Sequence, residues 1–294
     1  MLSYAKKIVS RVETEATLDS RENTIRLLGE LGLDDFGELL LTMPNREYPR
    51  ISAQLPAMVS DDVQKNWTGS SGIPLLRQTC TFVRAVCNGY VTLTGKPFKD
   101  RRLLDFGCGY GRIARAMLYY SKPSLIWGVD PWPYPIRLCH AHGLGDQFLQ
   151  CEELPTSLPV SGSFDVIYAY SVFTHLSQKA CLNALRVLRN YICDDGILAM
   201  TIRPLEFWSF RSQGKADMDG TIDRLMRHHE LEGFAFDPHD RKPIDGDITY
   251  GDTSMTLDWI RSNAKGWRLS QIDRSLEDPF QINVFLTPER SPRS

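Results

Sequence analysis

The chain has 294 residues, of which 42% are hydrophobic, 24% charged and 10% aromatic, a composition that excludes a largely disordered, collagenous or coiled-coil protein. Its 34 basic and 36 acidic residues leave a formal charge of −2, which is unlike a general nucleic-acid binder. Seven scattered cysteines form no Cys-x-x-Cys pair, and no apolar run reaches the roughly 20 residues of a membrane helix. The first twenty residues lack the apolar core of a secretory signal, so the expectation is a cytoplasmic chain with reduced thiols and no membrane span.

Residues 1–100 read as a helical extension, with short apolar-periodic segments at Thr24–Gly32 and Asp34–Leu41. Residues 43–74 hold several prolines among Ser, Asn and Gly, and are expected to be mostly irregular because proline removes a donor and restricts its neighbour. Pro74 then suits the first turn of a long helix whose apolar face runs through Leu75, Phe82, Val83, Val86 and Tyr90.

From residue 101 short apolar runs alternate with helical stretches. Strands are expected at 102–106, 125–130, 146–150, 164–170 and 196–202, with helices at 113–120, 134–142 and 178–191 between them. That alternation predicts an α/β fold with a mostly parallel sheet covered on both faces. Residues 204–250 form a polar, aromatic-rich insertion after the fifth strand, with a helix at about 218–231. A helix at 255–264 and strands at 267–273 and 281–287 follow. The last two strands are too close for a helical crossover and should pair antiparallel at the sheet edge.

Asp105-Phe106-Gly107-Cys108-Gly109-Tyr110-Gly111-Arg112 lies between the first expected strand and its helix. Alternating glycines let backbone approach a ligand closely, at a helix start whose amides point outward. The dinucleotide fingerprint calls for glycine or alanine where Arg112 stands. Asp105 would repel a pyrophosphate and suit a cationic amine. Asp130 ends the second strand, where an acid can accept ribose hydroxyls. These residues favour a ligand with a ribose and an amino-acid tail.

At these residues the chain resembles the class I S-adenosylmethionine-dependent methyltransferases. Asp105 to Gly111 looks like their first motif, Gly128-Val129-Asp130 like their second, and Ser163 to Ser171 like their fourth-strand motif. The expected carboxy-terminal strand pair is similar to their reversed last strand. The resemblance spans about residues 100–287 and implies a Rossmann-like, seven-stranded sheet with an antiparallel last strand. It also implies domain limits of 1–100 for a helical cap and 101–294 for the methyltransferase domain, with 204–250 covering the substrate.

The resemblance further implies that Asp105, Gly107, Cys108, Gly109 and Gly111 hold the methionine end of S-adenosylmethionine. Asp130 would hold the ribose, flanked by Pro131 and Trp132. Gln150, Cys151 and Glu152 stand where such proteins contact adenine, although Gln150-Cys151-Glu152-Glu153 departs from their usual pattern. Tyr170 ends the fourth strand. Trp67 either lines the cofactor or substrate cavity or simply packs. The product would be S-adenosylhomocysteine, and no metal is expected.

Methyl transfer from a sulfonium is an in-line displacement that needs an aligned acceptor and, for a hydroxyl, removal of a proton. His175 follows the fourth strand and is the candidate base; the alternative is that it only caps or packs. Arg203, ending the fifth strand, either orients an anionic substrate or pairs with a nearby acid. The insertion adds Trp208, Arg211, His228, His229, Tyr250 and Asp252 as candidate substrate contacts. The acceptor expected is a small molecule or glycan, methylated at a hydroxyl oxygen; the alternatives are N- or C-methylation of a small metabolite, or a nonmethylating, cofactor-binding protein on the same fold.

Overall fold

The structure is a computed structural model and describes residues 1–15, 17, 19–212 and 220–289. Its elements begin with helices α1 (Ser3–Thr14), α2 (Arg21–Leu27), α3 (Leu33–Leu41), α4 (Pro49–Gln54), α5 (Asp61–Thr68) and α6 (Gly72–Thr94). Strand β1 (Leu103–Phe106), α7 (Arg112–Met117), β2 (Ile126–Asp130), α8 (Pro133–Ala141) and β3 (Phe148–Gln150) follow. Then come β4 (Phe164–Ala169), α9 (Gln178–Leu188), β5 (Ile192–Ile202), α10 (Glu206–Arg211) and α11 (Thr221–Glu232). The chain continues through β6 (Phe234–Pro238), β7 (Gly251–Met255), α12 (Leu257–Asn263), β8 (Trp267–Arg274) and β9 (Ile282–Pro288).

The main sheet has seven strands in the order β3-β2-β1-β4-β5-β9-β8. β1 pairs parallel with β2, β2 with β3 and β4 with β5, while β9 runs antiparallel to both β5 and β8. This is the Rossmann-like, seven-stranded α/β sheet with an antiparallel last strand that the resemblance implied. Every residue of β1 is buried, as a parallel strand covered on both faces requires.

The chain forms two compact units, Met1–Cys87 with Pro97–Gln150, and Asn88–Lys96 with Cys151 onward. In the first, the segment expected to be irregular contains helices α4 and α5. Its proline and serine start helices rather than break them. Pro49 opens α4, where its missing N–H costs nothing. Ser60 caps α5, accepting from Val63 N–H, with Asp61 and Asp62 in the first turn and Gly69 closing it at φ +75°. The expected long helix is α6, with Phe82, Val83, Val86 and Tyr90 buried.

In the second unit β5 starts at Ile192, earlier than Gly196. Its register on β4 moves from Phe164↔Ile192 to Val166↔Ile197, so residues 193–196 bulge out. The insertion is more structured than its composition suggested. The expected helix start at 218 lies outside the described residues, and α11 is described from Thr221. β6 and β7 form a separate antiparallel ribbon. Trp208, Leu225 and Ala235 make the insertion's small core, with Leu205, Phe207, Ile222 and Met226 packed around it.

Candidate functional site

The first unit carries the glycine loop. Gly107, Gly109 and Gly111 have φ of +74°, +52° and +77°, conformations that side-chain-bearing residues adopt only at a cost. Gly107 and Cys108 donate their N–H groups to the Val129 carbonyl at 2.8 and 3.0 Å, so the loop leaves β1 clamped to the end of β2. At Gly109 nothing lies within 4 Å of where a Cβ would stand, whereas at Gly111 a Cβ would meet Leu144 Cδ1 at 2.1 Å. Gly111 is therefore required by packing. Gly109 leaves an open cradle that any side chain would fill.

Asp130 is 6% exposed and divides its carboxylate between two backbone donors. Oδ2 accepts from Gly109 N–H and Oδ1 from Trp132 N–H, both at 2.9 Å. The acid at the end of β2 thus fixes both the glycine loop and the start of α8. Trp132 and Trp67 meet with ring centroids 5.3 Å apart, bringing together two residues far apart in sequence. Gln150 is exposed and donates to the Pro131 carbonyl at 3.0 Å. Asp105 is 2% exposed. Burial drives the Cys108 thiol well above its ordinary pKa, so it stays a neutral part of the loop.

The second unit gathers His175, Arg203, Tyr250, Asp252 and Arg211. His175 Nδ1 lies 2.7 Å from the Gly251 carbonyl, and Nε2 lies 3.2 Å from Arg203 Nη2. A carbonyl only accepts, so Nδ1 carries the proton and Nε2 accepts from the guanidinium. Burial, then the Arg203 charge, lowers the His175 pKa to about 4. In this arrangement its lone pair is taken by Arg203. Arg203 Nη1 also donates to the Thr174 carbonyl at 2.9 Å and to Asp252 Oδ1 at 2.7 Å.

Asp252 gathers further charge. Arg211 Nη1 is 3.4 Å and His239 Nε2 3.5 Å from its Oδ2. Burial opposes ionisation of Asp252, but Arg203, His175 and Arg211 outweigh it and hold the pKa below the usual carboxylate value. Arg211 also pairs with Asp237 at 2.6 Å. Tyr250 stacks on His175 at 5.1 Å with 10° between planes, and Arg241 lies 4.3 Å over the Tyr250 ring. Backbone bonds fasten this part of the insertion to the segment after β4: Gly251 N–H to the His175 carbonyl at 2.9 Å and Thr253 N–H to Thr174 at 2.8 Å.

Other sequence candidates are placed differently. Trp208 is fully buried and donates Nε1–H to Ser254 Oγ at 2.7 Å, and the same hydroxyl meets His229 Nδ1 at 2.8 Å. Both side chains are used in the interior of the insertion. His228 is exposed on α11, Glu152 is exposed and Cys151 half-buried. The Tyr170 hydroxyl donates to Asp278 Oδ2 at 2.7 Å.

Sequence reading did not single out Ser171, which adopts φ +56° at the end of β4. A non-glycine residue in that region stores strain, and such strain gathers at functional sites. Its N–H donates to Thr201 Oγ1 at 2.7 Å and its Oγ accepts from Gln281 Nε2 at 3.0 Å. Asp237, His239 and Arg241 were also missed. Each lies in the insertion among many similar polar residues, with nothing in local spacing to mark it.

Residues 104–199 match the family model of a methyltransferase domain. The chain carries a methyltransferase domain. That stretch contains the glycine loop, Asp130 and His175, and the sheet around it has the class I S-adenosylmethionine-dependent methyltransferase fold. An S-adenosylmethionine-dependent methyltransferase from Clostridium acetobutylicum is similar in structure, with a TM-score of 0.51 and 12% identity, over 77% of this chain and 96% of that one. DesVI of Streptomyces venezuelae is similar with a TM-score of 0.51 and 11% identity, over 79% of this chain and 100% of that one. At these identities the likeness is one of fold. No curated protein matches the sequence significantly. Among the described residues no helix is long and apolar enough to cross a membrane.

Proposed function

We propose that this methyltransferase acts on a small-molecule or glycan acceptor and releases S-adenosylhomocysteine. The observation that carries the cofactor assignment is the bond from Gly109 N–H to Asp130 Oδ2, beside a position where a Cβ would find open space. A backbone cradle and two buried acids, Asp105 and Asp130, suit a cationic amine and ribose hydroxyls rather than a phosphate. The residues present therefore fit S-adenosylmethionine, which when bound supplies a methyl group activated on a sulfonium.

Asp105 would hold the cofactor's amine, Gly107 to Gly111 its methionine end, and Asp130 its ribose, with Trp132 and Trp67 as the aromatic wall. Pro131 and Gln150 complete the proposed cofactor set of the first unit, while Cys151, Glu152 and Tyr170 belong to the second. Arg203, Arg211, Tyr250 and Asp252 form the proposed acceptor set. A near-neutral chain is a poor match for a phosphate-rich acceptor, which favours a small molecule or glycan over nucleic acid.

A hydroxyl acceptor is the first reading of the atom methylated. It requires His175 to be released from Arg203 before it takes a proton. An amine acceptor is the second, and the occupied Nε2 of His175 favours it, because a neutral amine attacks through a lone pair it already holds. Calorimetry with S-adenosylmethionine tests the cofactor assignment. The wild type should bind and Asp130→Ala should lose about tenfold or more in affinity; no binding by the wild type refutes the reading. A panel of matched alcohols and amines, followed by mass spectrometry of the methylated product, decides between the two acceptors.

A further inference from the structure

Asp252 carries two imidazoles, and they are not equivalent. His175 Nδ1 stands 3.5 Å from its Oδ1, and His239 Nε2 stands 3.5 Å from its Oδ2. Both ring nitrogens of His175 are engaged, Nδ1 with the Gly251 carbonyl and Nε2 with Arg203. The ring of His239 makes one hydrogen bond among the described residues, the one to Asp252, so its Nδ1 accepts none. The His239 side chain is also 43% exposed, against 17% for His175, and is open to a bound molecule.

The carboxylate decides which nitrogen of His239 carries the hydrogen. Against the cost of burial, Arg203, His175 and Arg211 keep Asp252 ionised. An ionised carboxylate only accepts, so in the neutral ring the hydrogen is on Nε2 and the lone pair on Nδ1. The ring is also held in place. The His239 N–H donates to the Tyr250 carbonyl at 3.1 Å, and the imidazole stands 5.4 Å from the Tyr250 ring and 6.4 Å from that of His175. The groups facing it are Asp252, Tyr250, His175 and Arg211, which lies 3.4 Å from the same carboxylate oxygen; Arg241 lies over Tyr250. Burial and Arg203 hold His175 neutral, and charge on His239 adds to that effect.

We propose that His239 is the catalytic base of this site, an inference that rests on methyl transfer to an acceptor as read above. The acceptor's lone pair forms the bond to the methyl carbon while the carbon–sulfur bond breaks, its electron pair returning to sulfur to leave a neutral thioether. The acceptor's proton goes to Nδ1 of His239, and the imidazolium so formed is paired with Asp252. With the proton taken there, His175 stays bound to Arg203 throughout. The assignment serves either acceptor, since a hydroxyl loses its proton during attack and an amine loses one once methylation has made it cationic.

The test uses the full chain, S-adenosylmethionine and whichever alcohol or amine of the panel is methylated. His239→Ala should lower kcat by about a hundredfold or more and lose the fall in rate at acid pH that the wild type shows. Added imidazole should restore part of the rate, and calorimetry should find wild-type affinity for S-adenosylmethionine. A merely structural role moves neither the pH profile nor the imidazole response. A rate within about threefold of wild type overturns the proposal, as does a loss that imidazole leaves untouched with the pH profile unaltered. A wild type that does not bind S-adenosylmethionine sinks instead the reading on which the proposal rests. NMR of the isotope-labelled wild type, with His239→Gln to assign the ring, needs no acceptor. At alkaline pH Nε2 should carry the hydrogen and Nδ1 none, and the opposite tautomer overturns the proposal as well.

Discussion

Arg203 donates from Nη2 to Nε2 of His175 across 3.2 Å, so the histidine that follows β4 is held as a neutral imidazole by the arginine that ends β5. The arginine in turn is held by Asp252 at 2.7 Å. A residue expected to abstract a proton therefore has that capacity masked by a residue expected to bind substrate.

The pH dependence of stability follows from this pair. The His175 pKa falls from 6.5 to about 4 on folding, so between those values the unfolded chain binds a proton that the folded chain refuses. Stability from this group is fully present above about pH 6.5 and is lost as pH falls toward 4, by on the order of 3 kcal/mol. An NMR titration of the His175 ring should show a midpoint well below 6, rising toward the ordinary value in Arg203→Met. A wild-type midpoint near 6.5 would contradict the geometry.

The two glycines of the cofactor loop separate binding from folding. Gly109→Ala forces alanine to φ +52° in open space, costing about 1 kcal/mol of stability while placing a methyl in the cradle. Gly111→Ala adds a clash with Leu144 at 2.1 Å and should cost about 2–4 kcal/mol. Thermal unfolding and S-adenosylmethionine calorimetry should therefore rank the variants oppositely. Gly109→Ala is expected to be nearly wild type in Tm with affinity at least tenfold weaker, and Gly111→Ala to be the less stable.

The cofactor loop was legible because its signals are local: glycines at alternate positions, an acid before them, and Asp130 at the end of the next strand. The sheet was legible because fully buried parallel strands read as unbroken apolar runs. The helices α4 and α5 were not, although Pro49 and Ser60-Asp61-Asp62 are starting signals, because prolines and serines in one stretch were weighed as breakers together. The cluster around Asp252 was invisible for a different reason. Its partners His175, Arg203, Arg211 and His239 come from the segment after β4, the end of β5 and distant parts of the insertion, and only the tertiary fold gathers them. Ser171 was quoted in a motif, but its positive φ is a property of the turn it makes and leaves no trace in composition.

The core of the insertion depends on one hydroxyl. Ser254 Oγ accepts from Trp208 Nε1–H and bonds His229 Nδ1, all three residues being buried. Ser254→Ala leaves the indole N–H unsatisfied, at a cost of about 1–3 kcal/mol. Hydrogen exchange should show α10, α11 and the β6–β7 ribbon losing protection first in this variant. Uniform loss across the chain would mean that the insertion has no separable core.

Asp252 should be the most sensitive position in the second unit. Its carboxylate is 14% exposed and sits against the Arg203 guanidinium, 11% exposed, with Arg211 and His239 at the other oxygen. Asp252→Asn keeps the shape and removes the charge, so Arg203 stays buried beside a neutral amide and next to a histidine whose protonation it opposes. Removing one partner of a buried pair costs about 3–5 kcal/mol, whereas replacing both by apolar groups of similar size is often far less damaging. Asp252→Leu combined with Arg203→Met should accordingly be more stable than Asp252→Asn, even though it deletes more interactions. Urea unfolding of the single and double variants at pH 7 measures this, with a coupling of at least 1 kcal/mol expected for groups in direct contact. Additive losses would show that Arg203 is held by the Thr174 carbonyl and His175 and not by Asp252.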